Sequence, residues 1–440
     1  MAHEKQIEGP NCSAVLGTVT VLPPSAAQSR YRYYGWRISG ALAVTTLVSY
    51  GILFYGFGVV TKPMETEFGW TRAQTSIAFS IATLVNGLAA MLAGRVVDRH
   101  GGRAMGIIGA LLGALMLWAW STVESLTGLY IVFAFIGLAW SCLFYDTAFA
   151  IIARWFRHDR THATFLVTMI AGFASTVFIP LITWLEGQYG WRTALRLLAA
   201  GLVVITVPIH AFVIRRDPAD LGLITDGRVV LHAGVVVDEP SVTADIAHRS
   251  GAFWRITISF GMARFVATVM GAHLVPLLIE RGHSGAFAAG VAGSVGPMQV
   301  LGRVVFLPAS RRIPLVAMTV VTFGLFAGGF TALASSDRDM AVVLFVLLYG
   351  AANGMATMNR AGLVAELFGP RHYGRISGTM TMVGSMLSVA APFSSGWMRT
   401  RLGDYGWVLI GMVGMSVLAG ALVIGLRPVP AATISSASSD

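Results

Sequence analysis

Twelve stretches of this 440-residue chain are long and apolar enough to cross a bilayer, and no other feature narrows the possible folds as much. A helix needs about 20 predominantly apolar residues at 1.5 Å rise to span a hydrocarbon core about 30 Å thick. In hydrocarbon every backbone N–H and C=O must be satisfied within the protein, which leaves helices as the reading for segments of this length. The segments fall near 37–60, 72–96, 104–122, 126–152, 161–185 and 193–214, then near 252–279, 285–307, 313–333, 340–366, 373–398 and 404–427. With 55% hydrophobic and only 12% charged residues, the chain has too little polar side chain to cover a water-exposed surface. The expected fold is an all-α membrane protein with twelve transmembrane helices in two six-helix halves.

The halves are read as 35–214 and 251–428. They are flanked by tails at 1–34 and 429–440 and joined by a linker at 215–250 that is rich in Asp and Pro. Six spans, a linker and six spans is the layout of parallel repeats related by an axis along the membrane normal. The apolar run at 14–22 is followed by Pro23 and Pro24 and preceded by Glu4 and Glu8, so it reads as part of a cytosolic tail rather than a secretory signal. The net charge of +10 comes from basic residues spread singly or in pairs between apolar runs, which argues against nucleic-acid binding. Most of these residues fall in loops on the side of the two termini, which places both termini in the cytosol. Lys5 and Lys62 are the only lysines, an arginine skew that fits a bacterial inner-membrane protein. Cys12 and Cys142 are too few for a disulfide framework or a zinc site, and neither a metal nor a cofactor is expected.

Between the second and third spans the chain reads Gly94-Arg95-Val96-Val97-Asp98-Arg99-His100-Gly101-Gly102-Arg103. This matches the G-x-x-x-D-R-x-G-x-R loop of the major facilitator superfamily, and the chain resembles that superfamily. Gly94 permits close helix approach, while Asp98, Arg99 and Arg103 are positioned for charge-assisted contacts in a cytosolic gate. Further stretches are similar to the monocarboxylate transporter family and its bacterial oxalate/formate exchanger relatives. They include Gly35-Trp36, Lys62-Pro63-Met64-Glu65, Arg154-Trp155-Phe156 before Arg160, Tyr189-Gly190-Trp191-Arg192, His273-Leu274-Val275-Pro276, Gly302-Arg303 and Glu366-Leu367-Phe368-Gly369. The resemblance implies transport of a small organic anion. Animal members carry an Asp four residues before the helix 8 arginine and a Lys inside helix 1. This chain has Gln299 at the first place and no lysine at the second.

An ionised side chain at the bilayer centre is costly, so such residues face a partner or a watery cavity. Arg303 shares a helical stripe with Gln299, Gly296 and Ala292, and by resemblance it matches the arginine that binds the substrate carboxylate. Arg360 heads a stripe through Thr357, Asn353 and Tyr349, with a substrate role and a structural ion pair both open. Arg264 shares a face with Thr257, Gly261, Thr268 and Gly271. His273 falls on the opposite face, so both line one cavity only if the helix breaks near Gly271 or Pro276. Asp146 is the deep carboxylate, either the carrier of a coupling proton or a standing partner for an arginine.

Three deep arginines against one carboxylate make a positive cavity that attracts anions. The expected function is secondary active transport of a small organic anion by alternating access, by a protein acting as a monomer in the lipid bilayer, with proton coupling through Asp146 and a permanent Asp146–arginine pair both open. Efflux of an amphipathic compound is an alternative, although the helix 5 run Gly172-Phe173-Ala174-Ser175-Thr176-Val177-Phe178-Ile179-Pro180 lacks the drug/proton antiporter motif. A membrane sensor that binds ligand without moving it is a second alternative. No cluster of catalytic side chains supports an enzyme.

Overall fold

Helix boundaries are set by glycines and polar caps where the apolar runs end. In this computed structural model, which describes residues 33–223, 225–227, 241–402 and 404–429, the spans are α1 (Tyr34–Phe68), α2 (Arg72–His100), α3 (Gly102–Trp120) and α4 (Leu126–Trp155). The continuous helical stretch Arg160–Phe212 comprises α5 (160–189) and α6 (191–212), which meet at Gly190 with φ 75° and ψ 158°. The second half holds α7 (Gly251–Glu280), α8 (Gly285–Ala309), α9 (Leu315–Ser335), α10 (Asp339–Phe368), α11 (Tyr373–Leu402) and α12 (Gly406–Val423). The twelve spans and two halves expected from the sequence are therefore present among the described residues.

The end of the first span differs most from the sequence reading, for a local reason. The first span runs on to Phe68 because Pro63 is accommodated inside the helix and left-handed Gly69 (φ 68°) ends it. Thr71 then opens α2 with a capping box to Gln74. The tails at 1–34 and 429–440 lie almost wholly outside the described residues, as does the middle of the linker. The described linker ends are docked: Asp226 accepts from the backbone amides of Arg157 (3.0 Å) and His158 (2.9 Å), and Val242 N–H donates to the Phe368 carbonyl. Tyr33 donates to the Trp155 carbonyl and Val429 N–H to the Leu367 carbonyl, so both described ends lie on the side of the linker and the Gly94–Arg103 loop.

The halves meet along two seams, α2 against α11 and α5 against α8. Small residues let the first seam close. A Cβ on Gly94 would collide with the Gly374 carbonyl, and one on Gly378 with the Ala90 carbonyl. α11 carries Ser377, Thr381, Ser385 and Ser388 as buried polar side chains.

The second seam closes only at the loop end. The stripe of α8 that is buried against α5 at Arg303 has open space at Gly296, where a Cβ would meet nothing within 4 Å. At the far end the polar ties run within one half: Glu67 with Arg192 at 2.7 Å, Arg281 with Asp337 at 3.2 Å and Arg399 with Glu280 at 2.9 Å. The cleft between the halves thus opens away from the loop and the termini.

Gly378→Val, which inserts a branched side chain into the α2–α11 seam, is expected to lower stability by about 1 to 3 kcal/mol through overpacking. A thermal melt of the purified protein checks this, and an unchanged melting temperature would contradict the packing described.

Candidate functional site

Three spans of the N-terminal half depart from regular α-helix near the centre of the protein. In α1 the turn Tyr50–Tyr55 is π-helical. α4 is interrupted at Phe144, with φ −86° and ψ −174°. α5 is interrupted at Phe173. Single π turns and broken helices are frequent at functional sites because they redirect side chains and expose helix ends.

The break in α4 makes Tyr145 the first residue of a new helix and puts Asp146 in its first turn, where the positive end of the helix dipole favours an anion. Asp146 reaches across to the other half. Its Oδ1 accepts from Arg360 of α10 and from Ser377 Oγ (2.8 Å), and its Oδ2 accepts from Thr381 Oγ1 (2.8 Å), both on α11. Of the two roles open for Arg360, the structure displays the ion pair, and the pair ties the two halves together.

The break in α5 ends a helical segment at Gly172, where carbonyls lose their intrahelical donors and the dipole favours a cation. Arg303 is placed there. It is buried, it donates through Nη1 to the Thr168 carbonyl at 2.9 Å, and its Nε is buried without a partner. Gly172 leaves room for it, since a Cβ there would lie 2.7 Å from Nη1. Arg303 therefore sits inside the α5–α8 seam, shut off from the cleft in this conformation. Gln299, on the same stripe, is half-buried, as is Asn353 on α10. Tyr349, grouped by periodicity with the Arg360 stripe, turns instead into the core of the second half, stacked on Phe345.

Arg264 differs from the other two. It is half-buried on α7, its stem passes over Gly384 of α11, and among the described residues it has neither a hydrogen bond nor an ion pair. Asp146, Arg360 and Tyr50 lie within its electrostatic reach. α7 is continuous from Gly251 to Glu280, with Pro276 accommodated, so the break needed to bring His273 beside Arg264 does not occur. His273 instead contacts the Tyr405 hydroxyl at 3.1 Å, within the second half.

At the loop end Asp98 works through its carboxylate. Oδ1 accepts from Gly374 N–H (2.8 Å) and Oδ2 from Arg375 N–H (2.7 Å), capping the first turn of α11 from across the seam. Arg154 holds this cap in place. It donates to the Asp98 carbonyl and pairs with Asp217 at 3.2 Å. Arg375 in turn pairs with Asp245 of the linker at 2.8 Å, and those hydrogen bonds hold the Asp245 carboxyl below the usual carboxylate range. Arg99 and Arg103, expected in the gate, are exposed and have no recorded partner among the described residues. Arg154, quoted above only as part of a family-like stretch, takes their place.

A twelve-helix bundle with a closed loop-end gate, a cleft between two halves and arginines at its centre has the architecture of a secondary transporter. The sequence profile of the Major Facilitator Superfamily matches residues 42–392, and the chain belongs to that superfamily. It is a multi-pass membrane transporter and not an enzyme. The chain is 25% identical over 401 residues to monocarboxylate transporter 13 of Bos taurus, covering 90% of this chain and 89% of that one. It is 24% identical over 421 residues to monocarboxylate transporter 11 of Homo sapiens, covering 92% and 86%. Among solved structures, the major facilitator transporter FucP in the outward conformation superposes with a TM-score of 0.66 at 14% identity, over 88% of this chain and 98% of that one. The resemblance to monocarboxylate transporters read from the sequence is thereby borne out.

Asp98→Asn is expected to weaken the cap on α11 and slow transport at least severalfold, while equilibrium ligand affinity stays within a few fold. Paired transport and binding measurements on the same preparation check this. Lost binding with unchanged transport would overturn the gate assignment.

Proposed function

We propose that this protein moves a small organic anion across a bacterial inner membrane by alternating access, as a monomer with both termini in the cytosol. Arg264 would be the first anchor for the anion, and Asp146 would carry a coupling proton. The observation that carries this reading is Arg264: a half-buried guanidinium in mid-span with no acceptor among the described residues is a costly arrangement unless an anion visits it. The printed names of the similar proteins, monocarboxylate transporters, favour the same class of cargo.

Arg303 enters this reading at a later step. Among the described residues it is the other deep guanidinium without a carboxylate, and parting of the α5–α8 seam would uncover it, so an anion first held by Arg264 could pass to it as the halves rock. A guanidinium can grip both oxygens of a carboxylate in one plane, which an ammonium cannot. Gln299 and Asn353 line the same region as neutral polar groups, and His273 is left outside the site.

Protonation of Asp146 supports the coupling role through simple electrostatics. The carboxylate is one half of the Arg360 ion pair across the halves, and a neutral acid would hold Arg360 far less strongly. A proton taken up from the cleft would therefore loosen the tie that keeps the loop end shut.

Arg264→Gln is expected to weaken binding of a carboxylate ligand by about 2 to 5 kcal/mol, thirtyfold or more, in protein that still elutes as a folded species. Wild-type affinity in that variant would remove Arg264 from the site; the same measurement on Arg303→Ala tests the second anchor. Asp146→Asn should abolish accumulation driven by a pH gradient while preserving exchange of cargo for cargo. Accumulation by this variant would place coupling elsewhere.

A further inference from the structure

The arginines of the central site all come from the C-terminal half; the facing wall of the N-terminal half is made of rings. Two residues five apart on an α-helix point about 140° away from each other, but an i→i+5 turn brings them toward one side. The π-helical turn of α1 does this for Tyr50 and Tyr55. Tyr50 is stacked on Phe144 with ring centroids 3.9 Å apart, and its ring lies 4.9 Å from that of Tyr145. Tyr50 is within electrostatic reach of Arg264, and Tyr55 and Tyr145 are within reach of Arg303. The three phenols therefore face the two guanidiniums that have no carboxylate partner.

Both Tyr50 and Tyr145 are half-buried, and among the described residues neither hydroxyl has a protein hydrogen-bond partner. A phenol at the centre of a membrane protein normally finds such a partner when it is buried. Two phenols without one, held in fixed stacks near guanidiniums that have no carboxylate partner among the described residues, form a wall whose ring surface and hydroxyls are both available to a ligand.

We propose that the cargo is an aryl carboxylate, its carboxylate on the guanidinium side and its ring against Tyr50 and Tyr145, with Tyr55 at the edge of the site. This rests on the anion-transport reading above and narrows it. A two- or three-carbon acid has too little apolar surface to cover the ring wall. An aromatic body packs on the wall in the offset or edge-on geometries that rings prefer, and the fixed Tyr50–Phe144 stack leaves little ordering to be done on binding.

The test uses the purified full-length protein with benzoate and acetate as probes, read by calorimetry or thermal shift. Benzoate is expected to bind at least about tenfold more tightly than acetate. Tyr50→Leu and Tyr145→Leu should each cut that preference to within about threefold while acetate binding is kept, whereas Tyr145→Phe should retain it. The wild-type ratio stands as a measurement even if a leucine variant fails to fold. Equal binding of the two acids, or a preference untouched in both folded leucine variants, overturns the aromatic proposal and leaves the anion reading standing. Binding of neither acid, together with an Arg264→Gln protein indistinguishable from wild type, overturns both.

Discussion

A charge surrounded by hydrocarbon has to find an opposite charge, a hydrogen-bonding dipole or water, and the centre of this protein is arranged around that requirement. It holds three guanidiniums and one deep carboxylate, and each meets the requirement differently. Arg360 takes the carboxylate of Asp146. Arg303 takes a backbone carbonyl at the end of a helical segment. Arg264 takes nothing from the protein among the described residues and is left to the cleft. The three arginines, equivalent in composition, are thus divided by geometry into a tie between halves, a buried cation in a seam and an accessible one.

The breaks in α4 and α5 are what make the first two solutions available. An uninterrupted helix has its partial charges at its ends, near the membrane surfaces. Interrupting α4 before Tyr145 brings a positive helix end beside Asp146, and interrupting α5 after Gly172 brings a negative one beside Arg303. These placements need small neighbours. Gly172 clears space for the Arg303 guanidinium and Gly384 for the Arg264 stem, at 2.7 and 3.3 Å from where their Cβ atoms would be. The irregular backbone of α1 and α4 is packed in protein at Gly51–Leu53 and at Phe144, as the bilayer requires of non-helical backbone at that depth.

The fold was legible from apolar run length alone, since a span of about 20 apolar residues has one stable solution in a bilayer. The Asp98 loop and its partner helix were partly legible: the motif pointed to a gate and to Asp98, but the donors are backbone amides of Gly374 and Arg375, which carry no side-chain signature. Periodicity placed Arg264 and His273 on opposite faces, and the unbroken α7 keeps them so. The stripe through Tyr349 and Arg360 misled because the two residues, about 20° apart around the helix, lie at different depths: Tyr349 meets Phe326 and Phe330 of α9, while Arg360 meets Ser377 and Thr381 of α11. Polarity alone does not choose between them. The π turn at Tyr50–Tyr55 had no sequence signal, being a tertiary outcome of ring packing against Phe144 and Trp140. Arg154 was visible as part of a family-like stretch, but its contacts with Asp98 and Asp217 join residues far apart in the chain.

The ties between halves also set the thermodynamics of switching. Opening the loop end must separate Asp146 from Arg360, Arg303 from the Thr168 carbonyl and Asp98 from the start of α11. The Asp146–Arg360 pair is half-buried, and separating it without new partners for either charge is unfavourable. On the proposed reading an empty, deprotonated protein would therefore favour the conformation described here. A ligand shifts that balance only to the extent that it binds the alternative state better. In the proposed mechanism an anion that meets Arg303 once the seam parts would do so, and a proton on Asp146 would remove the other penalty. On the proposed reading coupling would need no dedicated relay: the groups that hold the halves together are the ones that a proton and an anion would neutralise, so the halves would part when both are present.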